Sequence, residues 1–197
     1  MRLIIVPGNP SRNQYYKMSN IAQIKPETAT PEQTEVFANV KKAMGMVPNL
    51  VATLAQSSAA VGGYLAFDGA LAKGSLPAKY RELISVVVAQ SNGCNYCLSA
   101  HSMIAKMKGY TEEAVLDFRR GKSSDPKEQS MINYIHKVLA NKGNVAPAVI
   151  EDLRSHGFSE SDIVEIIANV AINNFTNYFN NAAATVIDFP LAPKLEA

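Results

Sequence analysis

Apolar and polar positions recur with helical spacing along most of the chain. Between Thr30 and Gly45, "TPEQTEVFANVKKAMG", apolar residues return every three or four positions. Thr30 can cap the start of a helix, and Gly45 can end it. The pattern therefore predicts an amphipathic helix, whose apolar stripe consists of Val36, Phe37, Val40 and Met44.

The next segment, residues 47–74, has the same periodicity with an interruption. Its sequence is "VPNLVATLAQSSAAVGGYLAFDGALAKG". Two adjacent glycines, Gly62 and Gly63, are poor helix formers, so they mark either a weak point or a position of close packing. We expect one broken helix or two short helices, with Gly74 at the end.

The segment "SLPAKYRELISVVVAQSNG", residues 75–93, gives a mixed signal. The β-branched triplet Val86–Val88 favours a strand. The apolar run is too long for a typical strand, however, and helix signals flank it on both sides. We therefore predict a buried helix.

Helical patterns continue to the end of the chain. Gly109 can end the helix that follows, Thr111 can begin the next, and Ser159 with Asp162 can cap a long last helix. No strand–turn–strand pattern interrupts them. Seven or eight helices joined by short turns predict an all-α fold.

The N-terminal residues differ from the rest. Residues 1–17 contain proline, glycine and asparagine without an amphipathic period, which favours a loop. We predict an N-terminal extension outside the core over residues 1–29. Residues 30–197 are then a single all-α domain.

Composition narrows the functional classes. Hydrophobic residues make up 47% and charged residues 18%, with a net charge of +2. That balance argues against binding to nucleic acid or to an anionic membrane. No apolar stretch approaches the roughly 20 residues of a membrane span, and the N-terminal apolar run is too short for a secretory signal. Two cysteines are too few for a secreted disulfide scaffold, so we expect a cytoplasmic protein with reduced thiols.

The chain's two cysteines occur together in "GCNYCLSAH", residues 93–101. On a helix, Cys94, Cys97 and His101 share one face. The cysteine Cα atoms would be about 5–5.5 Å apart, within disulfide range. Both cysteines fall in the first turns of the helix, where free N–H groups favour a thiolate. The His101 ring, four residues after Cys97, could reach that sulfur and take its proton.

Four interpretations of this cluster compete. A c-type haem requires the histidine directly after the second cysteine, where Leu98 stands, so haem is excluded. Structural zinc needs four ligands, and because no second Cys/His pair exists, only a carboxylate could complete a set with Cys94, Cys97 and His101. Ordinary packing of buried cysteines remains possible. The shared face favours the fourth interpretation, a dithiol that cycles between reduced and oxidised forms.

Glu82 is a further candidate because it lies in a nearly apolar helix, within "KYRELISVVV". It is either a solvated charge paired with Lys79 or Arg81, or a partly buried carboxylate that orients His101 and accepts its proton. The residue pattern alone leaves both interpretations open.

Taken together, these residues resemble a known signature. Glu82, Cys94, Cys97 and His101 have the spacing E-x11-C-x2-C-x3-H of the alkylhydroperoxidase D-like proteins, within the carboxymuconolactone decarboxylase superfamily. The closing "NNFTNYFNNAAATVIDFP" is similar to the end of a peroxidase-related branch. The resemblance covers roughly residues 30–190.

The resemblance implies an all-α, homotrimeric or homohexameric enzyme that reduces organic hydroperoxides without metal or other cofactor. Cys97 would be the thiol that attacks the peroxide, and Cys94 the resolving thiol. His101 and Glu82 would form the proton relay. An external dithiol, of lipoyl type or in a thioredoxin-like protein, would restore the thiols.

Two considerations weigh on this interpretation. The best-known member of the family has a histidine just before the second cysteine, where this chain has Tyr96. A phenol is a weak base near neutral pH, so one proton-handling group is lost and peroxidase turnover is expected to be slow. The alternative function is a non-enzymatic redox switch or binding oligomer whose dithiol changes state.

Overall fold

The computed structural model describes residues 19–195. Within that range the chain forms nine α-helices and one short 3-10 helix, and no strand. The predicted all-α fold is confirmed, with more helices than expected. The helices are α1 (Pro31–Met44), α2 (Asn49–Leu54), α3 (Ser58–Leu71), α4 (Ala78–Ser91), α5 (Asn95–Met107), α6 (Glu112–Arg119), α7 (Pro126–Ala140), α8 (Pro147–Ser155) and α9 (Glu160–Ala183); the 3-10 helix is Pro26–Thr28.

Reciprocal side-chain caps begin α1 and α9 at the predicted residues. Before α1, the Thr30 hydroxyl accepts from the Gln33 N–H at 3.3 Å, and the Gln33 side chain accepts from the Thr30 N–H at 2.9 Å. Ser159 and Asp162 form the same pair before α9. Such caps satisfy N–H groups that have no partner inside the helix. The apolar stripe of α1 is confirmed for Phe37 and Val40, which are buried, and is wrong for its last residue, Met44, which is 51% exposed.

The break in the second helical segment does not lie at the glycine pair. Residues 55–57 separate α2 from α3, and the Ser57 side chain caps α3 by accepting from the Ala60 N–H at 3.2 Å. Gly62 and Gly63 lie inside α3, where a Cβ would meet no atom of the described residues within 4 Å. The Ser57 cap, which satisfies a helix N–H, begins α3 just after α2 has ended. The prediction that the glycine pair marks a weak point or close packing was therefore wrong.

The central helix is α4, which packs against α5, α6, α7 and α9. All its residues from Leu83 to Ala89 are buried, including the triplet Val86–Val88. The predicted buried helix is confirmed. Burial on every side overrides the strand preference of the valines, because that preference mostly reflects packing.

Buried side chains form two clusters. One joins α4 to α6, α7, α8 and α9 and contains Phe118, Met131 and Leu153. The other joins α1, α2 and α5 and contains both Cys94 and Cys97. The cysteines are therefore part of the packed interior.

Part of the predicted N-terminal extension contacts the domain. The Ile24 N–H donates to the Ala52 carbonyl of α2 at 2.9 Å. Ile24 and Ala29 are partly buried against the second cluster. Residues 19–29 therefore lie on the domain surface, whereas residues 1–18 are outside the described residues. The boundary of the extension stays a prediction.

The segment after α9 returns to α5. The Ala192 N–H donates to the Ser99 hydroxyl at 3.2 Å. The Phe189 ring packs edge-on against the Tyr96 ring, with centroids 5.6 Å apart. These contacts join the C-terminal segment to the helix that carries the cysteines.

The longest helix, α9, has 24 residues and two unlike faces. The face towards α4 buries four asparagines: Asn169, Asn173, Asn177 and Asn180. Another face exposes Val164, Ile167, Phe175 and Tyr178. Neither α9 nor any other described helix combines the length and hydropathy required to cross a membrane.

Candidate active site

The two cysteines lie where α4 ends and α5 begins. The chain turns at Gly93, whose φ of 61° is in the left-handed region that favours glycine. The Cys94 N–H then donates to the Ala89 carbonyl at 2.9 Å. Cys94 is the N-cap of α5, and Cys97 lies in its first turn. The predicted position of both thiols at a helix N-terminus is confirmed.

The two sulfur atoms are in direct contact. Cys94 Sγ and Cys97 Sγ are 2.6 Å apart, and the Cys97 N–H donates to Cys94 Sγ at 3.3 Å. The cysteines are free thiols, and they are 0% and 3% exposed. The structure therefore brings together the predicted dithiol. Disulfide formation would require little movement of the backbone.

Glu82 and His101 also meet. His101 Nδ1 is 2.9 Å from Glu82 Oε2, and the two side chains are 25% and 16% exposed. Of the two interpretations of Glu82, the partly buried carboxylate behind His101 is the one observed. Burial opposes a positive charge on the ring, but Glu82, with smaller contributions from Asp68 and Cys94, outweighs it and raises the pKa of His101 above its usual value. The pair therefore favours an imidazolium beside a carboxylate.

The expected contact between His101 and Cys97 is not observed. Within residues 19–195, no hydrogen bond joins the ring to either sulfur, and the charge of His101 favours the thiolate of Cys94. Cys97 Sγ contacts Cys94 and Asn180 of α9. Cys94 is the N-cap of α5 and has an extended ψ of 93°. The sequence analysis treated it as a residue inside the helix, so its side chain points in a different direction from the one expected.

The thiols have unequal proton affinities. The hydrogen bond from Cys97 lowers the pKa of Cys94, and the Cys97 N–H and the His101 charge act in the same direction against burial. The pKa of Cys97 is raised because its thiol donates to Cys94 and because it is buried. Cys94 therefore loses its proton more readily than Cys97.

Two amides of α9 complete the surroundings of Cys97, and the sequence analysis missed both. Asn180 Nδ2 donates to Cys97 Sγ at 3.3 Å. The side chains of Asn177 and Asn180 both act to lower the pKa of Cys97, against the larger effects that raise it. The signal was present in the sequence, since asparagines at 169, 173, 177 and 180 recur at helical spacing on one face.

The helix α3 adds two further groups that the sequence analysis missed. Burial raises the pKa of Tyr64, and the nearby Asp68, Cys97 and Glu82 raise it further. Desolvation also raises the pKa of Asp68, with His101 among the groups that act against it. A spacing of four residues puts Tyr64 and Asp68 on one face of α3, but the sequence does not show which helix that face meets.

Tyr96 has a structural role. Its hydroxyl accepts from the Leu50 N–H at 3.1 Å, in the first turn of α2, and the residue is 5% exposed. Burial raises the pKa of Tyr96, and the Asp188 carboxylate raises it further. Its hydroxyl is engaged at α2, consistent with the expectation that it does not replace a proton-handling histidine.

The described side chains around the dithiol do not form a metal-binding group. Among residues 19–195, no three His, Cys, Asp or Glu side chains are grouped in a way that could hold a metal ion. The polar groups at the dithiol are instead an imidazole, a carboxylate and neutral amides. Their arrangement suits proton transfer and thiol chemistry.

Comparison with known families agrees with this geometry. The model of the carboxymuconolactone decarboxylase family matches residues 58–124, from the start of α3 to just beyond α6. The matched segment contains Glu82, Cys94, Cys97 and His101. No curated protein matches the chain.

Solved structures match nearly the whole chain. An uncharacterised peroxidase-related protein from Ralstonia eutropha JMP134, described as an alkylhydroperoxidase AhpD core, is 25% identical, with a TM-score of 0.80. The match covers 88% of this chain and 94% of that one. A peroxidase-related protein from Silicibacter sp. TM1040 is 26% identical, with a TM-score of 0.75 and coverage of 86% and 93%.

A third match has a different recorded activity. A variant of the debrominase Bmp8, in complex with 2,3,4-tribromopyrrole, is 19% identical, with a TM-score of 0.73. The match covers 85% of this chain and 91% of that one. At this identity the likeness shows a shared fold alone.

Proposed function

We propose that this chain, which belongs to the carboxymuconolactone decarboxylase superfamily and has the alkylhydroperoxidase D-like fold, reduces organic hydroperoxides with the Cys94/Cys97 dithiol. The observation that carries the proposal is the direct contact between the two sulfurs, beside a hydrogen-bonded Glu82–His101 pair. Glu82 contacts His101, the charge of His101 favours the thiolate of Cys94, and Cys94 contacts Cys97. The partly exposed Glu82–His101 pair can take up or release the proton that the two buried sulfurs exchange.

In the first step, Cys97 attacks the terminal oxygen of the hydroperoxide. As the S–O bond forms and the O–O bond breaks, the Cys97 proton passes to the Cys94 thiolate 2.6 Å away. The departing alkoxide takes a proton from the His101 imidazolium and leaves as an alcohol. Cys97 is then a sulfenic acid, oxidised by two electrons, and the peroxide is reduced by the same two.

In the second step, Cys94 resolves the sulfenic acid. Neutral His101 accepts the Cys94 proton, and the new thiolate attacks Cys97 Sγ. The S–S bond forms, the S–O bond breaks, and the departing hydroxide takes the proton from His101 to give water. The relay thus reaches Cys97 through Cys94, which differs from the direct contact expected from the sequence.

An external dithiol then completes the cycle. Its thiolate attacks the Cys94–Cys97 disulfide, and its second thiol releases the reduced pair by exchange. A lipoyl-type dithiol or a thioredoxin-like protein has the required chemistry. Because this cycle starts from reduced thiols, we expect the protein to act in the cytoplasm.

Two rivals are tested in the same way. The first is a non-enzymatic redox switch, in which the two sulfurs would form a disulfide once without catalytic turnover. Bmp8 shows that the fold also occurs in a debrominase, so the fold does not by itself identify the oxidant. The proposal rests on the side chains around the dithiol.

The test is turnover with an organic hydroperoxide and excess dithiothreitol as a lipoyl-like dithiol. An enzyme consumes many equivalents of peroxide per chain, and the Cys94→Ser and Cys97→Ser variants do not. A switch consumes one equivalent and stops. Wild-type protein that stops after one equivalent in spite of excess dithiol would contradict the proposal.

We also propose that the chain forms a homotrimer or homohexamer. The exposed apolar side chains of α9 support it, since Val164 is 64% and Tyr178 61% exposed and Ile167 and Phe175 lie between them. Exposed apolar stripes of this kind usually mark a protein interface. Light scattering coupled to size-exclusion chromatography should give three or six chains for wild type and smaller species for Tyr178→Glu. A monomeric wild type would contradict this assembly.

A further inference from the structure

Two carboxamides of α9 converge on Cys97. Asn177 and Asn180 lie one helical turn apart and are 0% and 3% exposed. Asn180 Nδ2 donates to Cys97 Sγ at 3.3 Å. The side-chain amide of Asn177 also acts to lower the pKa of Cys97, less than that of Asn180 does, and its Nδ2 forms no hydrogen bond of ordinary length and angle. Both amides therefore face the reacting atom.

Each amide also has one atom that forms no hydrogen bond within the described part of the chain. These atoms are Asn177 Nδ2, a donor, and Asn180 Oδ1, an acceptor. The Asn177 oxygen is occupied, because it accepts from Asn92 Nδ2 at 3.1 Å, and this contact directs the nitrogen away from Asn92. Burial of an amide atom without a partner is unfavourable, so two of them within one turn call for an explanation.

The other buried asparagines of α9 show that this is not a general property of the helix. Asn169 Nδ2 donates to the Glu165 carbonyl at 2.7 Å, and Asn173 Nδ2 donates to the Asn169 carbonyl at 2.9 Å. Both therefore have a partner within their own helix. Among these four asparagines, the atoms without a partner occur in the two that face Cys97.

We propose that Asn177 and Asn180 bind the hydroperoxide itself, as a donor–acceptor pair that selects a substrate with a terminal O–H. Asn180 Oδ1 accepts from that O–H, and Asn177 Nδ2 donates to the inner oxygen. Because the Asn180 amide also donates to Cys97 Sγ, it holds the terminal oxygen beside the sulfur that attacks it. This inference rests on the proposed function and adds the residues that recognise the substrate.

The same contacts stabilise the charge that develops during attack. As the S–O bond forms and the O–O bond breaks, the inner oxygen becomes an alkoxide, and the Asn177 N–H donates to it until it takes the His101 proton. A donor directed at developing charge inside a buried site contributes to the rate. The hydroperoxide is the only oxidant and the dithiol the only reductant in this step, and His101 supplies the proton that converts the alkoxide into the alcohol.

The amides could instead act only on the sulfur or on packing, and an oxidant without an O–O bond separates these roles. Diamide oxidises the same dithiol to the same disulfide through its N=N bond and needs no O–H contact. The measurement is the second-order rate constant of disulfide formation with cumene hydroperoxide and with diamide. We compare wild type, Asn177→Leu and Asn180→Leu. The matched control is Asn173→Leu, which replaces a buried asparagine on the same helix away from Cys97.

We expect the hydroperoxide rate constant of Asn177→Leu and Asn180→Leu to fall about tenfold to a hundredfold relative to the diamide rate constant. The ratio for Asn173→Leu should equal that of wild type. Each substitution removes one hydrogen-bonded atom together with one that has no partner, so its effect on thermal stability is measured beside that of Asn173→Leu. If a leucine variant fails to fold, Asn177→Ala and Asn180→Ala provide the same comparison.

Two results would overturn the inference. Equal losses with both oxidants would assign the amides to the sulfur or to packing, and unchanged hydroperoxide rates would assign them no part in recognition. Both results leave the peroxidase proposal intact. A wild-type dithiol that reacts with diamide and not with hydroperoxide would overturn the proposed function, and this inference with it.

Discussion

The two sulfurs of the dithiol are in contact but have different surroundings. On the side of α4 and α5, Cys94 receives the Cys97 N–H at the helix N-terminus and the charge of the His101–Glu82 pair. On the side of α9, Cys97 meets the neutral amide of Asn180. Apart from their contact with each other, Cys94 lies near an ion pair, and the α9 side of Cys97 presents an amide that cannot titrate.

This difference separates two tasks. A side made of ionisable groups can store and move protons, and a neutral side can position a substrate without competing for them. In the proposed cycle, Cys94, whose pKa is lowered, would be the proton acceptor for its neighbour, and Cys97 would be the sulfur that meets the peroxide.

The largest effect is expected from Glu82→Gln on the ionisable side. The substitution removes the charge that holds His101 as an imidazolium, so the rate constant for dithiol oxidation by hydroperoxide should fall about a hundredfold. Stopped-flow measurement of a single turnover gives this value. Asp117→Asn, which removes an exposed carboxylate on α6, serves as the control and should match wild type. A loss of less than about threefold would remove Glu82 from the relay.

A smaller effect is expected on the thiolate titration, followed by ultraviolet absorbance. Because the pKa of Cys94 is lowered, wild type should form one thiolate below the ordinary cysteine pKa of about 8.5, and the second well above it. Cys97→Ala removes the thiol donor and should raise the pKa of Cys94. Cys94→Ala removes the thiolate that Cys97 faces and should lower the pKa of Cys97. Two thiols that titrate together near the ordinary cysteine pKa would contradict the claim that Cys94 and Cys97 have different proton affinities.

Tyr96→Phe should affect stability and hardly affect rate. The buried Leu50 N–H loses its acceptor, which costs about 1–2 kcal/mol of unfolding free energy. Chemical denaturation measures this cost. Tyr134→Phe, at a buried tyrosine whose hydroxyl forms no hydrogen bond within residues 19–195, is the matched control with a smaller expected change. A loss of oxidation rate as large as that of Glu82→Gln would contradict the structural role and would indicate that Tyr96 takes part in proton transfer.

The smallest effect concerns pH and stability, measured in the Cys94→Ser/Cys97→Ser background so that no thiol titrates. The pKa of His101 is raised in the folded state. Its stabilising interaction with Glu82 should therefore be fully present below the unfolded imidazole pKa of about 6.5 and be lost as the pH rises through the raised value. The difference in unfolding free energy between this background and the same protein with Glu82→Gln should therefore become smaller as the pH rises. A difference that grows with pH would contradict the ion pair.

Sequence spacing predicted the ionisable side well. A fixed separation along one helix brings Cys94 and Cys97 together, because local geometry determines such contacts. Glu82 was a candidate because of its position in a nearly apolar helix, and the residue pattern left its role open until the structure placed it against His101. The error about which sulfur His101 affects came from treating Cys94 as an interior helical residue instead of an N-cap.

The neutral side could not be predicted in the same way. Asn177 and Asn180 are more than 70 residues from Cys97 in the chain, so their contact depends on how α9 packs against α5. A single sequence shows that asparagines share a face of α9 but not which helix that face meets. The same limit applies to Tyr64 and Asp68 of α3. The helix break was misplaced for a local reason, since the Ser57 cap competes with the glycine pair and prevails.

The most direct test of the central claim is a count of free thiols, with intact mass, before and after one equivalent of an organic hydroperoxide. Wild type is measured beside Cys94→Ser and Cys97→Ser. The account predicts that wild type loses both thiols and the mass of two hydrogens, and that Cys94→Ser gains one oxygen at Cys97 and stops as a sulfenic acid. Survival of both wild-type thiols in excess hydroperoxide would contradict it.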